Sequence, residues 1–248
     1  MNEMIMISKA MPIAHSVCQK HQVRKIQAGT YQICPKCAVE FVNNQNREHH
    51  KLVQQMVLEK HLAGAMIPER HANSGFKNYI VNIDNPGQAY ARNSCLQFTE
   101  AMLDGKKSNL VMSGKTGTGK THLSCATART LLKKGMYVRY ITSAELAQDI
   151  MGSWERADDT EKNTIYRYSE YDLLILDEYG LHDREKRLEL VHKVLYARYD
   201  EMKPTMLISN LTLAKLQEDL GDRLWSRFQH GGLTAVECNW GDKRIGCY

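Results

Sequence analysis

No run of apolar residues in the 248-residue chain approaches the roughly 20 that a helix needs to cross a bilayer, so a membrane-spanning protein is not expected. The Met-rich stretch from Met1 to Met11 carries Glu3 and lacks a long apolar segment ahead of a small-residue cleavage site. It does not read as a secretory signal. Cysteine is sparse: seven residues, an odd number, cannot form the dense framework of a disulfide scaffold and point to a reducing, cytoplasmic setting. Internal repeats, low-complexity tracts and coiled-coil heptads are all missing. Charge of one sign is barely in excess: 33 Lys and Arg against 28 Asp and Glu permit nucleic acid without demanding it. With 43% hydrophobic and 25% charged residues, the chain can build a sizeable core, which excludes wholesale disorder.

What is present is distributed unevenly. Cys18, Cys34 and Cys37 crowd the first 37 residues. From Asn43 to Gly64, apolar Leu52, Val53, Met56 and Val57 recur at helical spacing, and Gly64 supplies a stop. A loop-like stretch, His71 to Tyr79, precedes a second helix from about Gly87 to Leu103. Short apolar strands and helices then alternate. Strands are expected at Asn109–Ser113, Tyr137–Thr142, Asp172–Leu176, Thr205–Ser209 and Leu233–Cys238, with helices starting near Lys120, Ser143, Glu155, Asp183 and Thr212. Thr142 and Glu145 have capping-box spacing. The alternation predicts an α/β fold with a central parallel sheet covered by helices on both faces. The domain boundaries expected are a head over 1–42, a helical linker over 43–66 and a larger α/β domain over 67–248.

Gly114-Lys115-Thr116-Gly117-Thr118-Gly119-Lys120-Thr121 matches the P-loop pattern in full, between a predicted strand and a predicted helix. Its glycines let the backbone amides face inward as an anion nest, backed by the positive end of the helix that follows. In this reading Lys120 neutralises the β- and γ-phosphates of ATP and Thr121 binds Mg²⁺. His122 completes the nucleotide-contacting set. The apolar run Leu173–Leu176 delivers Asp177 and Glu178 to the carboxyl edge of the sheet. Asp177 suits the Mg²⁺ shell and Glu178 the polarising of an attacking water. Asn210, ending the Thr205–Ser209 strand, suits a position between γ-phosphate and water. Arg223 and Arg227, four apart on one helix face, can reach a neighbouring subunit's γ-phosphate. Arg184, Lys186 and Arg187 form a basic cluster suited to phosphate contacts.

The head has its own chemistry. Cys18-x-x-His21, twelve residues, then Cys34-Pro35-Lys36-Cys37 is the form of a two-knuckle Zn²⁺ site, with His15 as an alternative to His21. A segment this short builds little core, so a metal would explain how it folds.

Taken together, Gly114–Thr121, Leu173–Glu178, Leu207–Asn210 and Leu220–Arg227 resemble the AAA+ helicase loaders of the DnaC/DnaI group, with IstB-type ATPases as close relatives. The resemblance runs from about Ile67 to the C-terminus, and the stretch from His71 to Tyr79 shares in it. It implies a P-loop AAA+ ATPase whose Arg223 or Arg227 acts in trans, hence self-association through ATP-site interfaces. It also implies a replicative hexameric helicase as partner and single-stranded DNA contact, with Trp154 placed as a stacking aromatic beside acidic Asp158, Asp159 and Glu161. Only about ten residues follow Cys238, so no C-terminal lid domain is expected, as in that group; Lys243 and Arg244 are the nearest stand-ins for a lid's arginine. The Cys/His head is similar to the zinc-binding, helicase-gripping domain of DnaI-type loaders. An IstB-like transposition helper acting on duplex DNA is the alternative. A metabolic kinase would need a substrate lid and basic clamp in the same subunit, and suits the Asp177-Glu178 pair less well.

Overall fold

A computed structural model describes residues 12–180 and 185–243. Arg184, Arg244 and Cys247 therefore lie outside the described residues. The chain divides between Val57 and Leu58 into two compact units.

The first unit opens with three antiparallel strands in the order β1-β2-β3: β1 (Ile13–Val17), β2 (Arg24–Ala28) and β3 (Tyr31–Ile33). Gly29, at φ +62°, makes the tight turn between the last two. Helix α1 (Pro35–Ala65) follows. It begins eight residues before the Asn43 expected from periodicity, because Pro35 fits a first helical turn, where no amide is needed, and the Cys34 carbonyl accepts the Ala38 amide (3.0 Å). It ends at Ala65, one residue past Gly64, and Met66 follows at φ +54°.

The second unit carries α2 (Pro86–Leu103), then β4 (Asn109–Gly114), α3 (Lys120–Lys133), β5 (Val138–Thr142), α4 (Ser143–Gly152), α5 (Glu161–Glu170), β6 (Leu173–Tyr179), α6 (Glu185–Asp200), β7 (Thr205–Ser209), α7 (Leu213–Gln229) and β8 (Leu233–Cys238). The five strands form one parallel sheet in the order β5-β6-β7-β4-β8. Strand side chains alternate between faces, and each set finds its own core. Leu110, Met112, Ile175 and Ile208 pack with Cys95, Phe98, Leu123 and Leu131 from α2 and α3. Val111, Leu174, Leu176 and Leu207 pack with Leu146, Ile150, Val191 and Leu224 from α4, α6 and α7. That two-sided burial is why the strands read as apolar runs.

The capping box at Thr142 forms as spaced: the Thr142 hydroxyl accepts the Glu145 amide, and the Glu145 carboxylate accepts the Thr142 amide (3.0 Å). The helix expected from Glu155 starts later, at Glu161. Thr160 caps it by accepting the Asn163 amide (3.1 Å), and a short 3₁₀ turn, Ser153–Glu155, takes the earlier position. Arg198 is fully buried, with four of its five N–H donors bonded. Its guanidinium donates to the carbonyls of Tyr168 (2.6 Å), Tyr171 (3.0 Å) and Pro204 (2.5 Å) and to the Thr205 hydroxyl (3.0 Å). Burial draws its pKa down to about 9, still above neutrality. α7 is interrupted at Gly221, whose φ of 71° and ψ of 157° are open essentially to glycine alone. Among the described residues no helix is long and apolar enough to cross a membrane.

Candidate nucleotide site and metal centre

β4 sits between β7 and β8 while the chain leaves it for the far edge strand β5. Its carboxyl end is thus a topological switch point, where open α/β sheets bind ligands. Gly114 closes β4 at φ +115°, and Gly117 (+70°) and Gly119 (+92°) turn the loop into α3. A Cβ on Gly119 would lie 2.7 Å from the Tyr79 ring, and one on Gly114 2.5 Å from the Cys238 carbonyl oxygen. Space as well as dihedral angle therefore demands glycine here.

Lys120 is buried, and its ammonium donates to the Gly114 and Lys115 carbonyls (2.7 Å each) and to Asn210 Oδ1 (3.0 Å). Asp177 is buried beside it. Its Oδ2 accepts from the Thr121 hydroxyl (2.8 Å) and the Tyr140 phenol (2.7 Å), and its Oδ1 from the Glu178 amide (2.7 Å). Glu178 is exposed and has φ +57°, a conformation costing of the order of 1–3 kcal/mol that collects at functional sites. The Ser143 hydroxyl holds its carbonyl (3.1 Å). A cavity of about 480 Å³ is bordered by Thr116 to His122, Asp177, Glu178 and Asn210 on one side. Arg70, His71, Tyr79, Ile80 and Lys243 border it on the other. His122 Nε2 meets the Gly75 carbonyl (3.0 Å) and its Nδ1 the Ser74 hydroxyl (3.4 Å), which joins the α3 start to the 71–79 stretch.

The structure thus brings together Gly114 to His122, Asp177, Glu178 and Asn210 from three separate stretches of sequence. The carboxylate and hydroxyl at Asp177 and Thr121 are hard oxygen donors, the set that Mg²⁺ takes. Tyr79, Tyr140 and Arg70 were not singled out as site residues from sequence. The signal for Tyr140 was register: it shares a sheet face with Thr142, which pairs with Asp177.

Neither Arg223 nor Arg227 borders this cavity. Arg227 lies over Tyr196 (4.8 Å) and Tyr199 (4.7 Å) and pairs with Asp200 (3.6 Å). Arg223 is exposed, 6.0 Å from the Tyr196 ring, in the first turn after the Gly221 break. Trp154 is 49% exposed; its indole N–H donates to Glu161 (3.1 Å), and the Lys186 ammonium lies 4.9 Å above its ring. Arg187 is half-buried at the start of α6.

In the first unit the donor atoms of Cys18, His21, Cys34 and Cys37 all lie within 4.8 Å of one another. Tetrahedral Zn²⁺ with Zn–S near 2.3 Å requires edges of about 3.8 Å. The Cys18–Cys37 sulfurs are 3.7 Å apart, and His21 Nδ1 lies 3.8, 3.6 and 3.3 Å from the sulfurs of Cys18, Cys34 and Cys37. The donor set therefore fits the metal, and it is His21, not His15, whose ring nitrogen lies among the three sulfurs. The opposite ring nitrogen, Nε2, meets Glu40 Oε1 (2.8 Å), and Lys20 donates to Glu40 Oε2 (2.6 Å). Those two partners hold the Glu40 carboxyl below its usual range. A carboxylate behind a ligating imidazole fixes its tautomer and orientation.

A parallel five-stranded sheet, a glycine-rich phosphate nest after β4 and an Asp-Glu pair near the end of β6 define a P-loop ATPase of the AAA+ class. Residues 38–227 match the family described as IstB-like ATP binding protein, and the chain belongs to that family. It is 32% identical over 202 residues to the uncharacterized protein YdaV of Escherichia coli strain K12, covering 81% of this chain and 77% of that one. It is 30% identical over 175 residues to the replicative helicase loader DnaC of the same strain, covering 70% of each. A crystal structure of the DnaC helicase loader superposes with a TM-score of 0.59 at 23% identity, over 68% of this chain and 99% of that one. That likeness speaks to the fold.

Proposed function

We propose that this chain is an ATP-dependent helicase loader, which binds a replicative hexameric helicase, helps place it on single-stranded DNA and leaves on hydrolysis. The observation that carries the reading is the likeness to DnaC over 175 residues, 70% of this chain, beside an assembled ATP site. In this reading the head, residues 1–42, grips the helicase, 43–66 is a helical linker and 67–248 the ATPase domain. Cys18, His21, Cys34 and Cys37 hold Zn²⁺, which supplies the first unit with the cross-link its small core lacks.

At the ATP site the nest amides and Lys120 bind the β- and γ-phosphates. Thr121 and Asp177 would hold Mg²⁺, which would offset the charge on the phosphates. Glu178 orients and polarises the attacking water, and Asn210, already hydrogen-bonded to Lys120, senses the γ-phosphate. The arginine that stabilises transition-state charge comes from a neighbouring subunit, and Arg223 is the better candidate, because Arg227 is engaged by two tyrosines and Asp200. Trp154 and Arg187, with Arg184 outside the described residues, are the candidate DNA contacts.

The test is capture of a replicative helicase hexamer, in ATP, by the full chain and by a Cys34→Ser/Cys37→Ser variant, with zinc measured on the same samples. Capture lost together with the metal is expected. Failure of the folded, zinc-replete protein to capture the hexamer would overturn the loader reading for that helicase. The family match favours a second reading, a transposition helper on duplex DNA; capture of a transposase on duplex DNA instead of the helicase would establish it.

A further inference from the structure

A phosphate nest has to turn its amides inward, which sends its carbonyls outward, and each outward carbonyl needs a donor. Those donors come from the loop itself and from two distant stretches. Lys120 takes the Gly114 and Lys115 carbonyls, and the Thr118 hydroxyl takes Lys115 as well (2.9 Å). The Gly117 carbonyl accepts the Lys243 amide (3.0 Å), from the stretch after β8. The Thr118 carbonyl accepts two side chains at once: the Tyr79 phenol (3.2 Å) and the Trp240 indole N–H (2.9 Å), 39 residues before it and 122 after it. Both rings are buried, at 5% and 9% exposure. Burial raises the Tyr79 pKa above its ordinary value, so the phenol stays a donor. The same packing explains two of the loop's glycines, since a Cβ on Gly119 meets the Tyr79 ring and one on Gly117 overlaps the Asp242 carboxylate.

We infer that Tyr79 and Trp240 are positioning residues for phosphate binding: converging on the Thr118 carbonyl from outside the loop, they hold the Thr118–Gly119 peptide with its amide facing the phosphates. The inference rests on the reading of Gly114–Thr121 as the phosphate site. It differs from a role in holding the base, because the bonds go to loop backbone and their effect has to appear with phosphate alone.

Binding of ATP and of inorganic pyrophosphate is therefore measured by calorimetry on the full chain and on Tyr79→Phe, Trp240→Phe and the double variant. Each single substitution removes one donor and is expected to weaken both probes by the same factor, about three- to tenfold. The double variant, which leaves the Thr118 carbonyl without a side-chain donor, is expected to lose more than either alone. Hydrogen exchange of the loop amides should quicken in step. Weakened ATP with unchanged pyrophosphate would assign the two rings to the base, and no change in either would reduce them to packing; both results overturn the inference. If Trp240→Phe fails to fold, Tyr79→Phe, nearly isosteric, decides alone. Pyrophosphate binding that survives Lys120→Ala would instead refute the phosphate-site reading itself.

Discussion

Asp177 shows how much of the site rests on single hydrogen bonds. Three donors converge on its carboxylate, and one of them, the Tyr140 phenol, belongs to no motif. Tyr140 is 5% exposed, and burial together with Asp177 raises its pKa above the ordinary value, so it remains a donor at any working pH. Tyr140→Phe keeps the packing and frees the carboxylate to turn. It should raise the Mg²⁺ concentration for half-maximal binding of a fluorescent ATP analogue several-fold, with a stability loss of about 1 kcal/mol. An Mg²⁺ titration matching wild type would leave Tyr140 a packing residue only. Lys120, Thr121 and Asp177 were legible from sequence because a glycine-rich turn and a strand end are local patterns. Tyr140, Tyr79 and Trp240 were not, because each acts across 37 to 122 residues of chain through a contact that no spacing rule encodes.

Among the elements, the sheet of the second unit was the most legible. Strands buried on both faces must be apolar throughout, and β7 and β8 lie where the apolar runs put them. The three strands of the head were not legible. At three to five residues, half exposed and interleaved with ligands, they carry too few apolar positions to show a period of two. Their stability should follow the metal. Removing zinc with a strong chelator at pH 8 is expected to expose three thiols, Cys18, Cys34 and Cys37, to a disulfide reagent. Cys125 and Cys238, whose pKa values burial pushes up to about 12, stay silent with Cys95 while the second unit remains folded. The reading compares each sample before and after chelation, so Cys247 cancels. Three reactive thiols already present at full zinc occupancy would remove these cysteines from the metal. Glu40→Gln, which weakens the hold on His21 Nε2, should lower zinc affinity by about 10- to 100-fold in a chelator competition.

At the scale of the whole molecule, the ATP site borders no arginine from α7, although catalysis of this kind draws on one. Gly221 breaks α7 so that a new helical turn begins next to Arg223, and the break leaves that side chain exposed while the following turn packs Arg227 against Tyr196 and Tyr199. The pair was legible as two arginines on one face; their different fates were not, because the tyrosines come from α6. If Arg223 completes a neighbour's site, Arg223→Ala should lower the turnover of the assembled protein steeply, by about 10³-fold where the arginine carries its usual share, while ATP affinity holds. Mixing that variant with Lys120→Ala should then restore part of the activity, since some sites now pair an intact P-loop with an intact arginine from the next subunit. Neither variant alone can form such a site. Arg227→Ala should behave differently, losing stability by about 1–2 kcal/mol through its stacked tyrosines before it loses turnover. Recovery on mixing places Arg223 in trans. Its absence, with both variants folded and assembled, returns the arginine to the subunit that carries it and removes the reason for a shared site.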